Sequence, residues 1–235
     1  MIINIEPGTF GGPCRAGDLI GVANAVEHLR QVNNNVNIKF HMKQGTIDTQ
    51  KHCREFFSWL TSMTDYFSET VGSTSLPWRK VNLFDFRDIS GDLVKISNPS
   101  VMEKKIVIFP LFDAPYNIWR NWPKYVFDSI LDSFEREEYA DYEKIVCCKE
   151  EIERRPNWKY SFDFLTNVNH IMTSEVFVGG DTFSSHIAGT LDRGPKTILY
   201  YYSSRSLIHA LPFNFYNGRG TLKRYWLDFE NTKWD

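Results

Sequence analysis

The stretch Glu175-Val-Phe-Val-Gly-Gly-Asp-Thr-Phe-Ser-Ser-His-Ile-Ala-Gly-Thr-Leu191 decides the fold. Val176-Phe-Val178 form a short apolar run of the kind buried on both faces of a sheet, and Gly179-Gly180 end that run. Thr182, Ser184 and Ser185 then open a short helical segment, predicted over Ser184 to Leu191. A strand that passes through glycines directly into a helix is the turning unit of an α/β sheet.

Working outward, the same alternation recurs along the chain. Ile106-Val-Ile-Phe-Pro110 is a second buried-type strand, Pro123 to about Phe134 a helix, Lys144 to Cys148 a strand, Phe162 to Thr173 a helix and Lys196 to Tyr202 a strand. Nearer the start, Ile2 to Ile5 is a strand that runs into a loop containing Gly8, Gly11, Gly12 and Gly17. The helix that follows carries Leu19, Val22, Val26 and Leu29 on one face, with Asp18 in the N-cap position. Val36 to Met42 continues as a strand and Asp48 to about Met63 as a helix. Ser68 to Pro77 is rich in Ser, Thr and Gly, and Lys80 to Ile89 is a weak strand or loop. A boundary near residue 100 divides the chain into an N-terminal domain, 1–100, and a C-terminal domain, 101–235.

Composition bounds the function. The 235 residues are 42% hydrophobic and 24% charged, ordinary values for a folded protein, and the net charge of −2 gives no global field for a polyanion. Aromatic residues reach 15%, a surplus that suits a pocket stacking on rings. The four cysteines include no C-x-x-C pair, there is no cationic leader before an apolar run, and no apolar stretch approaches membrane-spanning length. A cytoplasmic protein without a membrane span is expected. Lys223-Arg224-Tyr225-Trp226 pairs cations with aromatics, either as a surface element or as a contact for nucleic acid or an anionic glycan.

In open parallel sheets ligands collect beyond the carboxyl ends of the strands, and the first amides of a helix are donors without helical partners. The turn from Asp181 through Thr182, Ser184, Ser185 and His186 therefore has the makings of an anion cradle, although Asp and Ser there also serve as plain caps.

Gly180-Asp-Thr-Phe-Ser-Ser-His-Ile-Ala-Gly-Thr-Leu191 resembles the Asp-Thr-Gly-x-x-His-x-x-Ala signature of the heptosyltransferase-like glycosyltransferases. Phe109-Pro-Leu-Phe-Asp-Ala-Pro-Tyr-Asn-Ile-Trp-Arg-Asn-Trp-Pro123 is similar to that family's basic-x-Trp-Pro segment, and Ala16-Gly-Asp-Leu-Ile-Gly21 to its first helix start. The resemblance implies two Rossmann-like domains facing across a cleft, the GT-B arrangement, with the first domain reduced. It also implies transfer of a sugar from a nucleotide-sugar donor to an acceptor hydroxyl, with inversion.

In that scheme Asp18 is the catalytic base. Arg120 is the diphosphate cation, and Asp181, Thr182, Ser184, Ser185 and His186 hold the diphosphate. Neither a metal nor a resident cofactor is expected, since the sequence has no Asp-x-Asp and no metal-ligand spacing among its histidines. The nucleotide sugar enters as substrate; the acceptor is a glycan, a lipid-linked sugar or a modified nucleic-acid base. Phe183 departs from the family glycine, which crowds the backbone approach to phosphate and leaves a non-catalytic nucleotide- or glycan-binding module as the alternative.

Overall fold

The computed structural model describes residues 2–8, 14–34, 37–43, 45–71, 79–82, 96–110, 121–148, 151–180, 182–203 and 220–227. The chain divides into two compact units, one centred on Met1–Ser97 and joined by Thr190–Asp192, the other centred on Asn98–Gly189.

The first unit is built on β1 (Ile2–Gly8), α1 (Ala16–Val32), β2 (Lys39–Lys43), α2 (Lys51–Met63), β3 (Phe67–Val71) and β4 (Arg79–Asn82). All pairings are parallel, in the order β3-β2-β1-β4. Leu19, Ile20, Val22, Ala23 and Val26 of α1 are fully buried, as are Met42 of β2 and Phe56 and Leu60 of α2. Burying a large apolar side chain of this kind contributes roughly 1.5–3 kcal/mol. Arg30, in the last turn of α1, pins the far end of this unit. Its guanidinium pairs with Asp65 at 2.8 Å, donates to the Ile38 carbonyl at 2.9 Å and lies 4.7 Å from the centre of the Tyr66 ring. β3 overlaps the start of the stretch from Ser68 to Pro77 that is rich in Ser, Thr and Gly.

The second unit holds β5 (Glu103–Phe109), α3 (Lys124–Ser133), a 3₁₀ turn at Glu137–Tyr139, β6 (Glu143–Cys147) and β7 (Lys159–Ser161). It continues with α4 (Phe164–Thr173), β8 (Ser174–Gly179), α5 (Phe183–Thr190), β9 (Thr197–Ser203) and β10 (Thr221–Leu227). Its six strands are all parallel, in the order β10-β9-β8-β5-β6-β7. From β5 outward this is the 3-2-1-4-5-6 order of a Rossmann-like sheet, with the first strand central and the order reversing beside it.

Ile106, Ile108, Val146, Val176 and Val178 form one core with Trp122, Val126, Phe127, Ile130 and Leu131 around α3. The alternate residues Val107, Ile145 and Phe177 are buried toward the opposite face of the sheet. Asn98 fastens the entry to this unit. Its side-chain amide donates to the carbonyls of Met172 at 2.7 Å and Arg193 at 2.6 Å, and its side-chain oxygen accepts from the Ser100 amide at 3.0 Å. Arg155, in the irregular segment before β7, grips Asp128 and Asp132 of α3. No helix among the described residues is long and apolar enough to cross a membrane.

Candidate functional site

Each sheet has a place where the strand order reverses. In the second unit it lies between β5 and β8, and three residues separate the end of β8 from the start of α5 at the carboxyl edge. In the first it lies between β1 and β4, and α1 is the helix that follows β1. Ligands of open α/β sheets gather at such points. Both segments singled out from sequence, the start of α5 and Asp18, therefore follow the central strand or its neighbour at the switch point of their own sheet.

At the α5 start the backbone turns sharply, the Thr182 amide donating to the Gly180 carbonyl at 2.8 Å. Ser185 Oγ donates to that same carbonyl at 2.5 Å, and the hydroxyls of Thr182 and Ser184 pair at 2.6 Å. These bonds turn the serines inward: Ser184 is 0% exposed, Ser185 4% and His186 6%. The three side chains that the sequence placed on the anion thus build the interior of the turn, and of the four described candidates here only Thr182 keeps half-buried surface. Arg120 and Asp181 lie outside the described residues.

Close packing explains both glycines of the turn. A Cβ on Gly179 would stand 2.6 Å from the Phe177 ring and 2.8 Å from Ser185 Oγ, and one on Gly180 would stand 3.0 Å from the Trp122 indole nitrogen. Trp122 is buried and its ring meets Tyr201 at 5.4 Å. The family resemblance marked the Trp-Pro pair; that Trp122 backs the glycine turn becomes visible only once β5 and β8 are neighbours.

An aromatic cluster stands at the same edge. Phe183 contacts Phe109, the last residue of β5, at 6.0 Å and Phe164, the first of α4, at 5.1 Å, while Phe109 also meets Phe177 at 6.1 Å. Phe183 is the first residue of α5.

Asp18 is not the N-cap that the sequence suggested. Arg15 holds that position and Asp18 is the third residue of α1, its carboxylate accepting from the Arg15 amide at 2.9 Å. A carboxylate three residues into a helix that reaches back to the cap amide satisfies a donor the helix cannot, and lies favourably in the helix dipole. The surroundings are held by backbone bonds, with the Cys14 amide to the Thr46 carbonyl at 2.6 Å and the Asp48 amide to the Cys14 carbonyl at 2.9 Å. Arg15 reaches Asp48 at 3.7 Å. Burial, with the Asp18 charge nearby, pushes the Cys14 thiol up to about 12, so this cysteine stays a neutral packing residue.

No family model, curated protein or solved structure gives a significant match to the chain. Among the described residues no three His, Cys, Asp or Glu side chains gather in a way that would hold a metal ion.

Proposed function

We propose that the chain is a nucleotide-sugar-dependent glycosyltransferase of the GT-B type, related to the heptosyltransferase-like enzymes and metal-independent. The α5 start binds the donor diphosphate, and Asp18 accepts the proton of the attacking acceptor hydroxyl. The observation that carries this role is the placement of the glycine turn and α5 at the carboxyl edge, where the order reverses beside β5. First-turn amides and the positive end of the helix suit the charge that builds on a departing diphosphate. Because Ser184, Ser185 and His186 are interior, the contact falls to backbone amides and to Thr182, with the serines fixing the turn. Arg120 and Asp181 keep the roles that the family resemblance implies. Direct attack on the anomeric carbon inverts its configuration, and holding donor and acceptor in line supplies much of the rate gain.

A specific observation favours a second role, a binding module without turnover. Phe183 stands where the related enzymes have glycine, and its ring is packed against Phe109 and Phe164 beside the amides.

The two are separated by incubating the protein with UDP-, GDP- and ADP-linked sugars and measuring release of nucleoside diphosphate. A transferase releases it slowly to water, and Asp18→Asn lowers that release by about 10²–10⁴-fold, the usual contribution of a general base. Asn retains an acceptor for the Arg15 amide, so the helix start is kept. Binding without release identifies the module, and no binding of any donor contradicts both.

A further inference from the structure

Away from the α5 start, a groove of about 280 Å³ runs between α3 and β9, lined by Tyr125, Val126, Ser129, Ile130, Ser133 and Tyr201. Tyr125, Ser129 and Ser133 recur every fourth residue and so form one stripe of α3, while Val126 and Ile130 are buried in the core beneath. The Tyr201 ring stacks on Tyr225 of β10, with centroids 4.6 Å apart and planes at 14°. The parallel register pairs Lys223 with Leu199 and Tyr225 with Tyr201, which puts Lys223 on the same sheet face as the two tyrosines.

This surface is open and chemically mixed. Tyr125 is 67% exposed and Tyr225 38%. Among the described residues nothing bonds the hydroxyls of Tyr125 and Ser129 or pairs with the Lys223 ammonium. Ser133 gives its hydroxyl proton to the Ile130 carbonyl at 2.7 Å and retains acceptor capacity.

We propose that this groove binds an acidic sugar of a glycan, a pyranose carrying one carboxylate. The exposed Tyr125 ring and the face of Tyr225 turned away from Tyr201 offer an apolar platform to a sugar face, the hydroxyls of Tyr125, Ser129 and Ser133 match the polar rim of a pyranose, and Lys223 meets the carboxylate. Size favours a small ligand, since a groove of this volume takes one or two sugar rings, whereas stable protein docking needs roughly 1,000 Å² or more. A polynucleotide needs a track of unpaired cations, and Lys124 and Arg155 on the flank of α3 are already paired with Asp128 and Asp132.

The site does not depend on the transferase role. Thr182 lies outside the groove, so Thr182→Val leaves sugar binding unchanged, and a failure of nucleotide binding at α5 has no bearing on it.

The test is calorimetric titration of the full chain with cellobiuronic acid, with neutral cellobiose and with an oligothymidylate of about eight residues, a length within the span of common single-strand sites. The acidic disaccharide binds best, and Tyr125→Ala and Tyr225→Ala each weaken it by about tenfold; Tyr125 is 67% exposed, so its variant keeps the melting temperature, while loss of the Tyr225–Tyr201 stack lowers it slightly. Lys223→Gln removes about a fivefold to tenfold preference for the acid and leaves cellobiose affinity unchanged. Absence of saturable sugar binding, indifference to both tyrosine substitutions, or preference for the oligonucleotide would each overturn the proposal.

Discussion

Phe183 stands edge-on to Phe109, ring centroids 6.0 Å apart and planes at 84°, at the carboxyl edge of the second sheet. Phe164 packs on the same ring at 5.1 Å, and on our reading a side chain at this first position of α5 obstructs the approach to the first amides. A glycine there removes the obstacle and the packing together. Phe183→Gly is therefore expected to cost about 2–3 kcal/mol of stability, less than a fully buried Phe because the ring is only half-buried, and to raise affinity for a nucleoside diphosphate by about tenfold. Denaturant titration and nucleotide titration of the same variant read both effects; unchanged or weaker nucleotide affinity would show that the ring does not guard a phosphate site.

Gly179 has no room for a side chain. The methyl of Gly179→Ala would meet the Phe177 ring at 2.6 Å and Ser185 Oγ at 2.8 Å, and Ser185 is the residue that ties α5 back to the Gly180 carbonyl. The expected loss is about 1–3 kcal/mol in urea unfolding. Gly45→Ala is the control: nothing lies within 4 Å, but its φ of +86° disfavours a side chain, so the loss is set by backbone strain, about 1–2 kcal/mol.

His170 supplies a pH dependence. Burial, then the nearby Lys105 charge, holds its imidazole below the ordinary value; Glu143 and Glu103 oppose this, and Lys159 adds weakly to it. Its Nδ1 is buried and has no hydrogen-bond partner among the described residues. The unfolded chain takes up the proton first as pH falls below about 6.5, so the stabilising effect of this group is complete above that pH and is lost as pH falls through the folded-state value. His170→Gln should flatten the fall in unfolding free energy across the acid side of neutrality. An unaltered slope would place the imidazole in solvent.

Asn98→Ala removes two donors and one acceptor at a residue that is 1% exposed, leaving the carbonyls of Met172 and Arg193 without this partner. A loss of about 2–4 kcal/mol is expected, near the upper end for a single substitution. Asn98→Asp keeps the acceptor for the Ser100 amide but turns an oxygen toward both carbonyls, and should be worse. Equal melting temperatures for the two variants would contradict this ranking.

Much of the α/β frame can be read from apolar runs: Ile106–Ile108, Ile145–Cys147 and Val176–Val178 are buried strand segments in the structure. β7 escapes because it is a three-residue edge strand, Lys159–Ser161, with an exposed-to-intermediate surface and no apolar periodicity. β3 escapes because Ser68, Glu69 and Thr70 read as loop while neighbouring β2 supplies the pairing. Residues 151–155 mix charges of both signs, as a solvated helical face does, yet the segment is irregular and Arg155 is drawn onto α3.

At the candidate site, sequence pattern located the glycine turn but not the direction of its side chains. Small polar residues at a helix start satisfy nearby backbone groups as readily as ligands. Here Ser185 bonds to the Gly180 carbonyl and Ser184 to Thr182, a choice set by three-dimensional packing against Gly179 and Phe177. Asp18 shows the same limit by one turn of helix: residue type marked it as a cap, but Arg15 takes the position and Asp18 bonds back to it.

The most direct test of the central claim is an amide NMR titration of the whole chain with UDP, GDP and ADP. At least one of them should shift the amides of Thr182, Phe183 and Ser184 in a saturable way, and Thr182→Val should weaken that binding. Saturable shifts confined to other residues, or none with any of the three, would contradict a diphosphate site at the start of α5.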